Sequence, residues 1–332
     1  GPQISAMPSN RIDVVVVGSY VQDHVWLTER FPETGETLAA TGFATGPGGK
    51  GFNQAVACRR QGAGVAFVGA IGDDHLGVFA RDFAAREALD ARWYTSTSTP
   101  TAAASIAVDP RGANRILVHL AANLELAQGF IAAQADAFDQ ARVLLCQLES
   151  DIAAVRGALA IGRSHGLLRL LNPAPVHRDV DAALLEACDL ITPNEHEFVQ
   201  LLDRLVGERI KADDLGLLDQ ARLHALCRKL GVPTVVVTLG VAGCFVSHGE
   251  DLRGDEAACY RVAAERVKAI DTVGAGDAFN GALAAALASD PDAPFRHAIR
   301  HANRVAALST EKIGASIAMP TRAEVDARFG AA

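Results

Sequence analysis

Apolar residues recur along this chain in short continuous runs, separated by longer Ala- and Leu-rich stretches with a helical pattern. The runs that predict strands are residues 12–17, 65–70, 143–147, 168–171, 190–192 and 234–238. Continuous apolar runs are typical of parallel strands that are covered on both faces. The stretches that predict helices between them are 53–61, 77–87, 153–165 and 218–230. This alternation predicts a doubly wound α/β fold, in which a mostly parallel sheet is flanked by helices.

Two stretches, at about 25–48 and 100–123, depart from this rhythm. They contain Thr-rich or alternating segments, and the second carries the turn sequence Pro-Arg-Gly-Ala-Asn between two strand-like halves, which is a hairpin signal. We expect one α/β domain over residues 7–330, with these stretches forming a small β lid over the site. Gly1-Pro2 ahead of Met7 resembles a protease-cleavage remnant, so residues 1–6 are interpreted as a tag and linker.

Charge and composition limit the partners of the chain. Its 332 residues are 49% hydrophobic and 21% charged, with a formal net charge of −8 and no basic block. Nucleic acids and anionic membranes are therefore not expected partners, and no apolar run approaches the ~20 residues of a membrane span. The six cysteines lack metal-binding spacing and suit reduced thiols. These features predict a cytoplasmic protein.

Polar residues follow the predicted strands where each one ends. The positions are Asp23 beyond Gly18-Ser19, Glu149, Asn172, Asn194 with Glu197, and Thr238. Ligands of open parallel sheets bind outside the carboxyl ends of the strands. Solvation alone does not explain so many polar strand ends at one rim, so the pattern predicts an enzyme site there.

The stretch DTVGAGDAFNGALAAAL, residues 271–287, contains a Gly-Ala-Gly turn ahead of an apolar helix. A helix N-terminus with a glycine-rich approach can bind an anion. Asp277 is either a helix cap or a functional acid. The apolar composition of the helix favours the second interpretation, because a buried acid is costly unless it is used. Phe279 replaces the third glycine of a dinucleotide-binding fingerprint.

Three further stretches each have a structural and a functional interpretation. GPGGKGFNQA, residues 46–55, is not a Walker A motif; Gly48 and Gly49 leave room for a ligand near Lys50 and Asn53, or the loop only caps a helix at Asn53. Asn194 and Glu197 favour a helix cap over a hydrated cation site. The turn after Thr238, with Gly240 and Gly243, allows a nucleotide to approach or is a plain β-turn.

Together these stretches resemble, in order and spacing, the ribokinase-like sugar kinases, over residues from 14 to about 326. The resemblance implies ATP-dependent phosphorylation of a pentose at its 5-hydroxyl, with D-ribose as the first-choice acceptor. It implies Mg²⁺ with ATP, a K⁺ activator, and a homodimer formed through the β lid. Asp277 would be the general base, and the N–H groups of Gly274, Ala275, Gly276 and Asp277 would form an anion hole.

The resemblance also implies the binding residues. The sugar would be held by Asp23, Gly49, Lys50, Gly51, Asn53, Glu149 and Asp277. ATP would contact Asn194, Thr238, Gly240, Gly243, Gly276 and Asn303, with Glu197 near Mg²⁺ through water. The K⁺ site would be formed by Asp271 and the carbonyls of Val273, Ser309, Lys312 and Gly314.

The chain departs from the family pattern at three positions. Val21 stands where ribokinases usually have an Asn that contacts the sugar, and deoxyribokinases also carry an apolar residue there, so 2-deoxyribose is an alternative acceptor. Ala318 stands where a hydroxyl is common near the K⁺ ion, and Phe52, where Ala is usual, is expected to narrow the pocket. A nucleoside kinase is a further alternative. A sugar-binding regulator without catalysis is disfavoured because both glycine-rich motifs are intact.

Overall fold

The structure, a computed structural model, describes residues 11–331, so the interpreted tag at 1–6 lies outside the described part. Its main sheet has nine strands in the order β13-β12-β11-β10-β9-β8-β1-β4-β5. These strands are β1 Val14–Val17, β4 Val65–Gly72, β5 Asp90–Ser96, β8 Val143–Cys146, β9 Leu168–Leu171, β10 Leu190–Ile191, β11 Thr234–Thr238, β12 Cys244–His248 and β13 Cys259–Val262.

All six predicted strands are present in this sheet and pair in parallel, from β11 through β1 to β5. The three strands that the apolar pattern missed are the two edge strands, β5 and β13, and β12 beside one of them. β5 is only partly buried, and β12 and β13 run antiparallel at the opposite edge. The edge strands β5 and β13 lack the double-sided burial that produces a continuous apolar run, whereas β12 is buried throughout but ends in the polar residues Ser247 and His248.

Helices cover both faces of the sheet. They are α1 Lys50–Arg60, α2 His75–Arg86, α3 Gln128–Ala132, α4 Ala135–Gln140, α5 Ile152–Ser164, α6 Ala182–Glu186, α7 Glu195–Val206, α8 Gln220–Arg228, α9 Ala275–Ser289, α10 Phe295–Ser309 and α11 Arg322–Phe329. Alternate residues of β1 enter different cores: Val14 and Val16 pack with α1, α9 and α10, whereas Val15 and Val17 pack with α5, α7 and α8. The predicted doubly wound α/β fold is confirmed.

A second sheet of four strands has the order β3-β2-β6-β7 and consists of β2 Val21–Leu27, β3 Gly42–Gly48, β6 Ala103–Val108 and β7 Asn114–His119. The last two form the predicted hairpin, and their turn is closed by Asp109 N–H donating to Ala113 O at 3.0 Å. Three of the four strands lie inside the two stretches that interrupt the α/β rhythm, whereas β2 begins four residues before the first of them. Within residues 11–331, no helix has both the length and the apolar character needed to cross a bilayer.

Candidate active site

The carboxyl ends of the central strands meet the first turn of α1. Ser19, which follows β1, donates from Oγ to Glu149 Oε1 at 2.9 Å, and the backbone N–H of Lys50 donates to the same oxygen at 2.8 Å. Glu149 follows β8, which is the neighbour of β1 in the sheet. The predicted rim therefore exists, and Glu149 joins two strand ends to the start of a helix.

The glycine-rich stretch before α1 is held against the protein's own backbone. Gly49 has a φ of 89°, and a Cβ at this position would lie 2.7 Å from Val21 N. The space that the motif predicts for a ligand is thus filled partly by the chain that leads into β2. The helix begins at Lys50 without a side-chain cap, so the interpretation of Asn53 as a helix cap is wrong. Asn53 instead reaches Asp277.

Asp277 lies in the first turn of α9 and is 8% exposed. The N-cap is Gly274, with no side-chain cap, so Asp277 is not the capping residue. Asn53 Nδ2 donates to Asp277 Oδ2 at 3.0 Å, and Gln54 Nε2 donates to Oδ1 at 3.0 Å. Burial raises the pKa of Asp277, while Lys50 and the two amides oppose that rise. A buried carboxylate at a glycine-led helix start is an arrangement suited to proton transfer beside an anion.

Three carboxylates and one lysine face each other across this site. Burial, and then the charges of Glu149 and Asp277, raise the pKa of Asp23 on β2 to about 7. Burial lowers the pKa of Lys50, but Asp277 and Glu149 outweigh it, so the net shift is upward. The lysine is therefore charged, and it is the one cation that faces the three carboxyl groups among these four residues. Gly51, also predicted to bind sugar, donates its N–H to Ser19 Oγ at 3.2 Å.

Asn194, predicted to contact ATP, and Glu197, predicted to lie near Mg²⁺, form a complete capping box at the start of α7. Glu197 N–H donates to Asn194 Oδ1 at 2.8 Å, and Asn194 N–H donates to Glu197 Oε1 at 2.9 Å. The favoured cap interpretation is confirmed. Burial raises the pKa of Glu197, and Lys50 opposes that rise, which places this carboxylate in the electrostatic field of the site. Asn194 also forms an isolated parallel bridge with Thr238.

The turn after Thr238 joins β11 to β12. Gly243 has a φ of 87°, and a Cβ there would lie 1.9 Å from Val262 O, so this glycine is required by packing against β13. Gly240 has open space beside it. Asn303 on α10 is 7% exposed and donates from Nδ2 to Ala263 O at 3.4 Å. These residues lie around the β11–β12 turn and the end of β13.

The predicted K⁺-binding residues lie in the segments before α9 and after α10. Asp271 accepts from Val273 N–H at 2.9 Å and from Gly314 N–H at 3.3 Å. Ser309 Oγ donates to Ala306 O within α10, and its carbonyl accepts from Lys312 N–H at 3.5 Å. The structure thus brings Asp271, Val273 and Gly314 together. Among residues 11–331, no cluster of three His, Cys, Asp or Glu side chains is arranged to bind a metal ion.

Phe52 does not narrow the site. Its ring is 0% exposed and packs edge-on against Tyr20 and Phe67, with centroid distances of 4.9 and 5.4 Å. Successive helical residues project about 100° apart, so Phe52 turns into the core when Asn53 and Gln54 face Asp277. The expectation that Phe52 narrows the pocket was therefore wrong.

Several residues at the site were not anticipated. Ser19, Gln54 and Ser316 contact Glu149, Asp277 and Asn53, respectively. Gln54 lies inside the motif at residues 46–55, and Ser19 lies beside a polar strand end, so their positions in the sequence could have indicated a role at the site. Ser316 had no such signal, because it reaches Asn53 across 263 residues of sequence.

Comparison with known proteins identifies the family of this chain. The family model described as pfkB family carbohydrate kinase matches residues 11–322. The chain is 34% identical over 313 residues to the ribokinase of Mus musculus, covering 94% of this chain and 93% of the relative. It is 36% identical over 315 residues to the ribokinase of Haemophilus influenzae, covering 95% and 97%.

A solved structure of Arabidopsis thaliana ribokinase, complexed with ribose and ATP, superposes with a TM-score of 0.80 at 26% identity, covering 95% of this chain and 97% of that one. The resemblance to ribokinase-like sugar kinases and the predicted fold are therefore confirmed by independent comparison. The chain belongs to the pfkB family of carbohydrate kinases and is a ribokinase-like, ATP-dependent sugar kinase.

Proposed function

We propose that this protein transfers the γ-phosphoryl group of ATP to the 5-hydroxyl of D-ribose, with Asp277 as the general base. The observation that supports this most directly is the placement of Asp277. It is buried at the start of α9, it accepts from two amides, and it lies in the electrostatic field of Lys50. Ribokinases among the relatives support ribose as the acceptor.

The reaction needs a proton acceptor and donors for the transferred group. Asp277 takes the proton of the acceptor hydroxyl as its oxygen attacks the γ-phosphorus, and the bond from phosphorus to the bridging oxygen of ADP breaks. The Ala275 N–H donates to Thr272 O at 3.2 Å and the Ala278 N–H to Gly274 O at 2.8 Å. We therefore assign the anion hole chiefly to the N–H groups of Gly276 and Asp277, which lie in the first turn without intrahelical partners.

The sugar is placed against Asp23, Lys50, Asn53 and Glu149, with the backbone of Gly49 and Gly51 beneath it. These groups offer carboxylates and donors on two sides of one space, which suits a polyhydroxylated ligand. Phosphoryl transfer depends mainly on such positioning and on charge stabilisation.

We assign the nucleotide to the ends of β10, β11 and β13, near Asn194, Thr238, Gly240, Gly243 and Asn303. The cap uses Oε1 of Glu197, so the other carboxylate oxygen would be the one that faces hydrated Mg²⁺. Mg²⁺ usually retains several waters, so a contact through water suits this ion. Bound Mg²⁺ would neutralise phosphate charge. Asp271, with the carbonyls of Val273, Ser309, Lys312 and Gly314, supplies the oxygen ligands expected for K⁺, although Ala318 adds none.

The second candidate acceptor is 2-deoxyribose, and Val21 favours it. This side chain is 3% exposed and clusters with Ala102 and Ala104. Residues 21 and 23 lie on one face of β2, because alternate residues of a strand share a face. The surface beside Asp23 is therefore apolar, and it offers no hydrogen bond to the additional hydroxyl that ribose has and 2-deoxyribose lacks.

We also propose that the protein forms a homodimer through the outer face of the four-stranded sheet. Trp26, Phe43 and Leu117 are 41%, 54% and 79% exposed, and a groove of about 370 Å³ lined by His24, Trp26, Leu117 and His119 lies on this face. Exposed apolar groups in contiguous positions mark association surfaces. Light scattering of the wild type and of Leu117→Lys tests this, since loss of the dimer is expected only in the variant.

Steady-state rates test the function. ATP-dependent turnover is measured on ribose, 2-deoxyribose, fructose and nucleosides, each with and without K⁺. We expect the highest kcat/KM on ribose, or on 2-deoxyribose if Val21 determines the preference, and a rate that increases with K⁺. Preference for fructose or a nucleoside would overturn the proposed acceptor, and equal rates with and without K⁺ would overturn the proposed cation site.

A further inference from the structure

Gln54 connects the carboxylate of Asp277 to a chain of buried amides. Its Nε2 donates to Asp277 Oδ1 at 3.0 Å and also to Asn172 Oδ1 at 3.0 Å. Its Oε1 accepts from Gln147 Nε2 at 2.6 Å. Gln54 is 0% exposed, Gln147 1% and Asn172 7%. All the hydrogen-bonding atoms of the Gln54 amide are therefore used inside the protein.

A backbone carbonyl determines which atoms of these buried amides donate and which accept. Asn172 Nδ2 donates to Thr192 O at 3.2 Å, and a carbonyl can only accept, so Asn172 must present its oxygen to Gln54. A rotated Gln54 amide would place its oxygen against Asn172 Oδ1 and Asp277 Oδ1, three acceptors without a hydrogen between them. Gln54 thus has one permitted orientation, and in that orientation it donates to the carboxylate.

The arrangement has a cost to stability. Within residues 11–331, Gln147 Oε1 is buried without a hydrogen-bond partner, which is unfavourable. It lies so close to Gly18 that a Cβ there would be 2.2 Å away. Among the same residues, the one acceptor of Gln147 Nε2 is Gln54 Oε1. The bond from Gln147 holds Gln54 in its orientation, although it leaves one buried polar group unsatisfied.

We propose that Gln54, oriented by Asn172 and Gln147, is a positioning residue that orients the Asp277 carboxylate and favours its charged form; this rests on the proposed role of Asp277 as the base. A donor to a carboxylate stabilises the ionised state and opposes the effect of burial. Asn53 acts from the other side, since its Nδ2 donates to Oδ2 and its Oδ1 accepts from Ser316 Oγ at 2.6 Å. Both oxygens of the base are thereby fixed, each by an amide.

The test is the pH profile of Gln54→Met, which retains the length of the side chain but has no donor. Loss of the donor raises the pKa of Asp277, so the acidic limb of kcat/KM moves to higher pH, by about one unit. At pH 7, kcat falls about tenfold, as expected when a base is poorly oriented, while KM for the sugar changes less than twofold.

The matched control is Gln61→Met. Gln61 lies at the end of the same helix, is 4% exposed and donates from Nε2 to Pro320 O at 2.9 Å, without contact to Asp277. Gln61→Met loses one buried hydrogen bond, whereas Gln54→Met loses three, but the pH profile of Gln61→Met should match that of the wild type. Identical profiles in the two variants would overturn the proposal. If Gln54→Met does not fold, Gln147→Met replaces it, with a smaller shift in the same direction.

A titration separates this proposal from the proposed function. Carbon-13 NMR of aspartate-labelled protein, with Asp277→Asn to assign the resonance, measures the pKa of Asp277 directly. That pKa should be higher in Gln54→Met than in Gln61→Met, and an equal value would overturn the proposal. If the wild type phosphorylates no sugar, the proposed function fails, but this titration still decides the role of Gln54.

Discussion

Carboxylates are buried in two regions of this molecule, and they are paired very differently. At the far edge of the sheet, Asp255 is 3% exposed in its side chain, and both its oxygens accept hydrogen bonds: Oδ2 from His248 at 2.8 Å and from the Tyr260 hydroxyl, and Oδ1 from Arg296 N–H at 2.9 Å. At the rim, Asp23, Glu149 and Asp277 share one space with Lys50.

The difference between the two regions shows that burial alone does not identify a functional acid. The Asp255 network joins β12, β13 and the start of α10, and it is completed by Thr234, whose Oγ1 lies 2.9 Å from His248 Nδ1 and accepts from Arg253. The polar groups of this network therefore find their hydrogen-bond partners within it. At the rim, burial and then the charges of neighbouring carboxylates raise the pKa of Asp23 and of Asp277, and such shifted acids are common at functional sites.

The comparison predicts that the largest loss of activity follows removal of the rim acid. Asp277→Asn retains the shape but cannot accept the hydroxyl proton, so kcat should fall about 10³-fold. Binding of the sugar, measured by calorimetry, should remain. An active Asp277→Asn enzyme would remove Asp277 from the role of base and leave the rim without its proposed function.

The matched change in the other region should affect stability instead. Asp255→Ala leaves His248, Tyr260 and the Arg296 N–H without their acceptor, and breaking such a buried pair costs about 3–5 kcal/mol of unfolding free energy. Urea denaturation measures this. Well below the unfolding midpoint, kcat should equal that of the wild type; a collapse of kcat with unchanged stability would contradict the structural role.

Asp23 allows the comparison to be tested by pH. Its pKa of about 7 in the folded protein exceeds its usual value, so the folded state binds more protons than the unfolded state and stability declines as pH rises from about 4 to 7. Asp23→Asn should remove this decline and raise Tm by a few degrees at pH 8. It should also weaken sugar binding about 10–100-fold, the value of a charged hydrogen bond.

The control for Asp23→Asn is the pH dependence of KM. In the wild type, KM for the sugar should increase as pH falls below about 7, since a protonated Asp23 loses its charge. In Asp23→Asn, KM should be high and independent of pH. A KM that varies with pH equally in both proteins would show that another group is responsible.

The smallest expected effect is a change of preference at the rim. Val21→Asn places an amide beside Asp23, and one net hydrogen bond of about 1 kcal/mol would shift the ratio of kcat/KM for ribose over 2-deoxyribose by about fivefold toward ribose. Competition between the two sugars measures the ratio. No shift would show that Val21 does not determine the acceptor.

Residue pattern alone predicted the layers of this fold and the rim. Six strands and the helices between them could be located because a strand covered on both faces needs a continuous apolar run, and the polar residues that end such runs must meet at one edge of a parallel sheet. The motif at 271–287 identified Asp277 and the start of a buried helix. These are local consequences of composition and order.

Only the tertiary structure decided how that acid is held and which other polar groups are functional. Gln54 and Asn53 reach Asp277 across more than 220 residues. Phe52 points into the core because the next two residues of its helix face Asp277. The buried Asp255 network carries no sequence signal either. Hydrogen bonds between distant segments depend on where a whole helix packs, and that placement is set by the combined burial of many side chains, which no single stretch encodes.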